Sequence, residues 1–245
     1  TANTSPSSGA VAALDTFVEA QNLQVLEYGS SSAVAATLSF YVKSNKTGSG
    51  TVSILQPDNS ERCLNVSYTI SSANTWERKT ISLPADASGV INNDAGRGLG
   101  IEFWLNSGST YTGGSAQNTW GSLTQSNRNF ANLGVGGSTN DYWMITGVQL
   151  ELGEEATPFE HRSYGDDLAR CQRYYYEITS NTDSFLPTTS DGRARLALTH
   201  PVTMRAHPTV IASGFTITSG RQVMTGFLDS QSNATLPAIT ITAEL

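Results

Sequence analysis

The chain has little charge. Lys, Arg, Asp and Glu make up 14 % of its 245 residues, against about 25 % in an average globular protein. The charge present is acidic, 21 Asp and Glu against 14 Lys and Arg. No Lys/Arg cluster breaks this balance, so there is no electrostatic footprint for a phosphate backbone, which argues against nucleic acid. No apolar run reaches about 18 residues, so no membrane insertion is expected. The two cysteines, Cys63 and Cys171, are too few for a disulfide framework, and no Cys-x-x-Cys pair offers a zinc site. Neither an initiator Met nor an apolar leader stands at Thr1-Ala2-Asn3, and the chain reads as a fragment of something longer.

Hydroxyls and amides fill the space that charge leaves. Ser, Thr and Asn together are roughly three residues in ten, with 22 Gly, a composition that favours turns and weakens helices. Period-two patterns dominate. Leu38, Phe40 and Val42 share one face of a strand, and Val52 and Ile54 follow the turn signal Gly48-Ser49-Gly50, predicting a hairpin. Leu64, Val66, Tyr68 and Ile70 alternate with Asn65, Ser67 and Thr69. Ile81 and Leu83 precede Pro84, which ends their strand. Ile101, Phe103 and Leu105 oppose Glu102, Trp104 and Asn106, and Val148, Leu150 and Leu152 oppose Gln149 and Glu151. The long polar stretch Asn106–Asn140 should hide short strands or carry function.

One short helix is expected where Ser163 and Asp166 offer caps and Leu168, Cys171 and Tyr175 fall on one side. Beyond it, Arg193–Thr199, Val202–Arg205, Thr209–Phe215, Gln222–Leu228 and Ile239–Ala243 read as short strands. The fold class is all-β: a jelly-roll β-sandwich over 1–160, a helical connector over 161–178, and a smaller β domain over 179–245. A core of about 70 residues is small, and modules of that size often gain stability by oligomerising.

The run Trp143-Met144-Ile145-Thr146-Gly147-Val148-Gln149-Leu150-Glu151-Leu152-Gly153, followed by Ala156-Thr157-Pro158-Phe159-Glu160-His161-Arg162, Tyr164-Gly165, Leu168-Ala169 and Cys171-Gln172-Arg173-Tyr174-Tyr175, resembles a run in bacteriophage tail-fibre and related virion proteins. Thr37–Ser44, Trp76–Ile81, Gly98-Leu99-Gly100, Pro201–Thr209 and Ala243-Glu244-Leu245 are similar to the same family. The resemblance implies a carbohydrate-binding-module-like jelly roll and a terminal β domain that trimerises. Its setting would be an extracellular phage particle, in a homotrimer joined to other virion proteins through a missing N-terminal part. Two places depart from the family pattern, Trp104 and the stretch Asp183–Asp191, where receptor specificity could reside.

The chemistry-bearing residues have competing readings. There is no Gly-x-Ser-x-Gly elbow, and His161, His200 and His207 are scattered, two of them before proline. Glu154-Glu155 and Asp166-Asp167 are chain neighbours, a poor start for a glycosidase pair. No Asp-x-Asp-x-Asp-Gly loop appears, Asn92-Asn93-Asp94 reads as a turn, and no metal or cofactor is assigned. Aromatic platforms are the stronger signal for sugar. Trp104, out of phase with its strand's apolar side, and Tyr111 and Trp120 in the polar stretch are the candidate glycan contacts; for Trp104 the competing reading is burial against a second layer or against a sister subunit. Trp76 and Trp143 should close the core, and Cys171 should be a small buried hydrophobe. Arg170, Arg173, Tyr174, Tyr175 and Tyr176 are the candidate subunit interface, or else an interdomain contact, against simple intrachain packing.

The expectation is therefore a non-enzymatic virion protein, the distal part of a tail fibre attaching to a bacterial surface glycan. Open beside it are a capsid-decorating head fibre or structural spacer, a carbohydrate-binding module of a secreted hydrolase, and a glycan-cleaving enzyme.

Overall fold

A computed structural model describes residues 2–58, 60–179, 181–185, 194–212, 216–228, 235–236 and 238–243. The chain is all-β, with one short α-helix among the described residues, and divides into two compact units, Thr1–Glu160 and His161–Leu245.

The first unit holds eight strands: β1 (Val11–Glu19), β2 (Ala36–Ser44), β3 (Gly48–Gln56), β4 (Arg62–Ile70), β5 (Glu77–Leu83), β6 (Arg97–Ser107), β7 (Gln117–Ser122) and β8 (Trp143–Leu152). They form a five-stranded antiparallel sheet, ordered β1-β6-β3-β4-β7, and a three-stranded one, β5-β2-β8. The chain changes sheet between β1 and β2, β2 and β3, β4 and β5, β5 and β6, and β7 and β8. One hydrophobic core lies between the sheets, with Leu38, Phe40 and Val42 from β2 facing Ile54, Leu64 and Phe103. The rings of Phe40, Tyr68 and Phe103 meet edge to face at 5.1–5.4 Å.

The expected hairpin at Gly48 does not form, because β2 and β3 lie in different sheets and the true hairpin is β3–β4. Gly50 is needed for another reason. It sits opposite Tyr68, where a Cβ would come within 2.8 Å of the tyrosine ring.

β8 carries inward residues of both parities, Trp143 and Ile145, then Leu150. A bulge reconciles them: Val42 pairs with Ile145 and Leu38 with Leu150, while Gly147 and Val148 together oppose Phe40. Gly147 supplies the left-handed backbone, with φ +57°.

The conspicuous run after β8 is a self-made clasp. Gly153, at φ +93°, turns the chain back. Thr157 donates from its backbone N–H to Glu151 at 3.2 Å and from its hydroxyl to the same carboxylate. Glu160 N–H donates to Gln149 Oε1 at 2.7 Å, and Arg78 on β5 donates to the Thr157 carbonyl. Hydrogen bonding from Thr157 holds the Glu151 carboxyl below the usual carboxylate range. Gln149, Glu151 and Thr157 of this motif are thus engaged in local structure.

The second unit opens with α1 (Tyr164–Gln172), capped by Ser163 Oγ accepting from Asp166 N–H at 3.2 Å. Its strands are β9 (Tyr175–Ile178), β10 (Asn181–Phe185), β11 (Ala194–Thr199), β12 (Thr209–Ala212), β13 (Thr216–Ser219), β14 (Val223–Leu228), β15 (Thr235–Leu236) and β16 (Ile239–Thr242). They pair as β12-β16-β9, β11-β14-β13 and β10-β15. A small core gathers Met204, Met224, Ile239 and Ile241. Val202–Arg205 is not a strand: the N–H groups of Met204 and Arg205 donate to the carbonyls of Arg221 and Arg173 outside any ladder. Residues 186–191 of the stretch Asp183–Asp191, and Glu244 and Leu245, lie outside the described residues.

Candidate functional site

Trp104 leaves the apolar side of β6 as its phase requires, yet it is only 1 % exposed. The polar stretch that follows β6 folds back as a second layer over the outer face of the five-stranded sheet. Tyr111 stacks on Trp104 with ring centroids 5.2 Å apart, and the Arg128 guanidinium lies 5.1 Å from the indole centroid. Beneath them, Glu102 accepts from Trp104 Nε1 at 3.1 Å and from Arg128 Nε at 3.2 Å. Ser53 Oγ lies 2.8 Å from both Asn65 Oδ1 and the Arg128 carbonyl, which share its one hydroxyl hydrogen. Trp104 is therefore corrected from sugar platform to buried anchor, because a roof of Tyr111 and Arg128 removes its face from solvent. Tyr111 is half-buried in that roof.

Trp120 lies on β7, the short strand hidden in the polar stretch. Its indole N–H donates to the Pro84 carbonyl at 2.7 Å, and its ring meets Tyr28 edge-on at 5.9 Å. It packs, half-buried, against the main core. Burial pushes the Tyr28 hydroxyl up to about 12. Trp143 closes the core as expected, its N–H donating to Tyr68 at 2.9 Å, whereas Trp76 is 45 % exposed.

The tyrosine run splits along β9. Tyr175 points outward, while Tyr176 turns toward the second unit's core and bonds through its hydroxyl to His200 Nδ1. His200 Nε2 donates to the Gly220 carbonyl at 2.9 Å. Tyr174 lies 5.9 Å from the Arg173 guanidinium and 5.8 Å from that of Arg205. Tyr174, Tyr176 and Arg173 thus have partners inside the unit, while Arg170 and Tyr175 remain exposed. Cys171 is exposed rather than buried, and both cysteines are free.

A different part of the polar stretch forms a concave site. A cleft of about 460 Å³ opens at the end of β6, within the range of small-ligand sites. One wall is the N-terminal segment, whose Asn3 N–H donates to the Gly136 carbonyl at 2.9 Å. The other walls are Asn106 and Ser107 from β6, Lys46 from the β2–β3 connection, and the loop leading into β8. Asp141 organises that loop, Oδ2 accepting from Gly136 and Ser138 N–H at 3.0 and 2.9 Å. The Ser138 bond holds its carboxyl below the usual carboxylate range. Lys46 Nζ donates to the Gly134 carbonyl at 2.8 Å and lies 3.7 Å from Asp141 Oδ2.

Sequence reasoning placed function in this stretch but on its aromatics, and so missed Asn3, Lys46 and Asp141. Lone charges among Gly, Ser and Asn were the available signal; their convergence depends on three separated segments. No cluster of metal-ligating side chains occurs among the described residues. Comparison with family models, curated proteins and solved structures finds no match to this chain.

Proposed function

We propose that the protein is a non-enzymatic attachment module of a bacteriophage virion, the distal part of a homotrimeric tail fibre that holds a bacterial surface glycan. The observation that carries this reading is the uncovered helix of the second unit. α1 buries none of its nine residues. Tyr164 is 80 % and Leu168 40 % exposed, and Cys171, on the same side, is exposed as well; Tyr175, expected on that side, lies beyond the helix on β9 because α1 ends at Gln172. A helix this short is marginal by itself and needs an apolar stripe covered by tertiary or quaternary packing. A sister copy covers it most simply, with Arg170 and Tyr175 beside the stripe as contacts of the kind enriched in interface centres. Three linked copies would make weak single-site sugar affinity sufficient for firm attachment.

Light scattering on the chain tests this directly. The expected mass is three times 26.1 kDa, falling to one chain in Leu168→Asp. The chain should also adsorb to some members of a panel of bacterial strains bearing different surface polysaccharides. A wild-type monomer that adsorbs to none of them overturns the reading.

A further inference from the structure

Resting on that attachment reading, we propose that the cleft between the N-terminal segment and the loop before β8 is the sugar site, and that it takes a neutral pyranose through adjacent hydroxyl groups. Three of its lining residues, Asn3, Asn106 and Asp141, have an unspent hydrogen-bonding group. Asp141 has a side chain only 9 % exposed, and its Oδ1 has no hydrogen-bond partner among the described residues, both backbone N–H groups being taken by Oδ2. Asn106 spends Oδ1 on Ser107 N–H at 2.9 Å and on Asn132 Nδ2 at 3.2 Å, while its own Nδ2 has no partner among the described residues. Asn3 spends Oδ1 on Ser5 N–H at 3.1 Å and likewise leaves Nδ2 unused. Behind the lining, Asn129 donates to Ser107 Oγ at 2.8 Å and is fully buried with Oδ1 unpaired.

The site therefore presents a carboxylate acceptor and two amide donors to one cavity. A sugar hydroxyl donates and accepts at once, so neighbouring hydroxyls can serve both. Charge selects further. Lys46 lies against Asp141 Oδ2 and offsets its charge, so the cleft has no surplus cation for an acidic sugar. A carboxylate or phosphate on the ligand would meet Asp141 Oδ1 as a like charge. Among the described residues no aromatic side chain lines the cleft. Recognition rests on hydrogen bonds, which suits weak binding made firm by several copies.

The test titrates the intact 15N-labelled chain with methyl glycosides of glucose, galactose, mannose, rhamnose and N-acetylglucosamine, and with methyl glucuronide, at tens of millimolar. At least one neutral glycoside should give saturable shifts at the amides of Gly134, Ser138 and Asp141, with glucuronide at least tenfold weaker. Asn106→Asp keeps the oxygen that holds Ser107 and Asn132 but replaces the free donor with a charge; it should weaken binding about tenfold with an unchanged spectrum elsewhere. Asn3→Ala should weaken it severalfold. No saturable shift with any neutral glycoside overturns the inference, as does equal binding of glucuronide or by Asn106→Asp. Adsorption to the strain panel separates the two levels. If wild type and Asn106→Asp adsorb equally, the cleft assignment falls and the attachment reading stands. If sugar binds the cleft but no strain is bound, attachment falls and the site stands.

Discussion

On the inner face of β6, Leu99, Ile101 and Phe103 pack into hydrocarbon; on its outer face Glu102 and Trp104 are almost equally buried, beneath Tyr111 and Arg128. The inner face is held by removal of apolar area from water, a non-directional force that needs only matching volume. The outer face is held by an ion pair, an indole N–H and hydroxyls that must each find a partner, since a buried polar group left unmade costs more than a made one contributes. The contrast explains why so uncharged a chain spends Arg128 and Glu102 on each other. It also explains the polarity of the 108–135 loop, which covers a polar sheet face.

The sharpest way to break this comparison is to truncate one aromatic on each face. Phe103→Ala and Trp104→Ala should each destabilise the first unit by about 3–5 kcal/mol in chemical denaturation, because both leave a large cavity in packed surroundings. An indole that merely offered a platform to a ligand would cost well under 1 kcal/mol. A Trp104→Ala effect of that small size would refute the second layer. Sugar shifts at the cleft should persist in the folded fraction of the Trp104→Ala chain.

Arg128→Met probes the polar face alone. It keeps most of the apolar stem over Trp104 but leaves Glu102 without its cation, in a pair whose side chains are 17 % and 11 % exposed. A loss of about 2 kcal/mol is expected, reduced from the fully buried case by that residual exposure. Adding Glu102→Gln should recover part of it, so the double variant is more stable than the sum of the singles. Additivity would mean that the two side chains do not depend on each other.

How far all this could be read beforehand follows the same division. Alternation placed Leu64, Tyr68 and Ile70 inward and Trp104 on the opposite side, because side-chain direction along a strand is a local property. What lies over an outward residue is not local, and Tyr111 and Arg128 reach Trp104 only through a loop with no periodicity of its own. β1 escaped notice for a related reason: it is an edge strand whose Val11 and Leu14 are about half exposed, so its alternation is not tied to burial. The cleft was least legible, since Asn3, Lys46, Asn106 and Asp141 come from four places along the chain. The helix, set by the Ser163 cap, was plain, but its lack of buried residues was not.

pH separates the regions further. Burial pushes Tyr68 on the inner face, like Tyr28 near Trp120, up to about 12. A raised pKa means that the folded state keeps a proton the unfolded chain releases near pH 10. The stability from both groups is complete below pH 10 and is lost as pH rises towards 12. The carboxyls work the other way. Arg62 and the Ser88 N–H overcome burial to hold Asp86 below its ordinary 3.8, and Asp141, Glu77 and Glu151 are lowered as well. Their contribution is present above the usual carboxylate range and disappears as pH falls through the lowered values. All of these carboxyls lie in the first unit, so acid should weaken it. Calorimetric melting across pH should show the first unit's transition falling at both extremes, and Tyr68→Phe should flatten the alkaline limb.

The smallest effect concerns how β8 chooses its face. Trp143 and Ile145 have one parity and Leu150 the other, and only the bulge at Gly147 sets all three against the core. The backbone there is left-handed, and a Cβ would stand 3.1 Å from the Tyr41 ring. Gly147→Ala must therefore accept an unfavourable φ and shift an aromatic ring by a few tenths of an ångström, for a loss of about 1 kcal/mol of stability in chemical denaturation. The same variant should leave the Trp143 N–H bonded to Tyr68, seen as an unchanged indole resonance, because the bulge is held by pairs on both sides of it. If Gly147→Ala instead moves that resonance, the strand has slipped register, and its apolar residues have exchanged the inner face for the outer one.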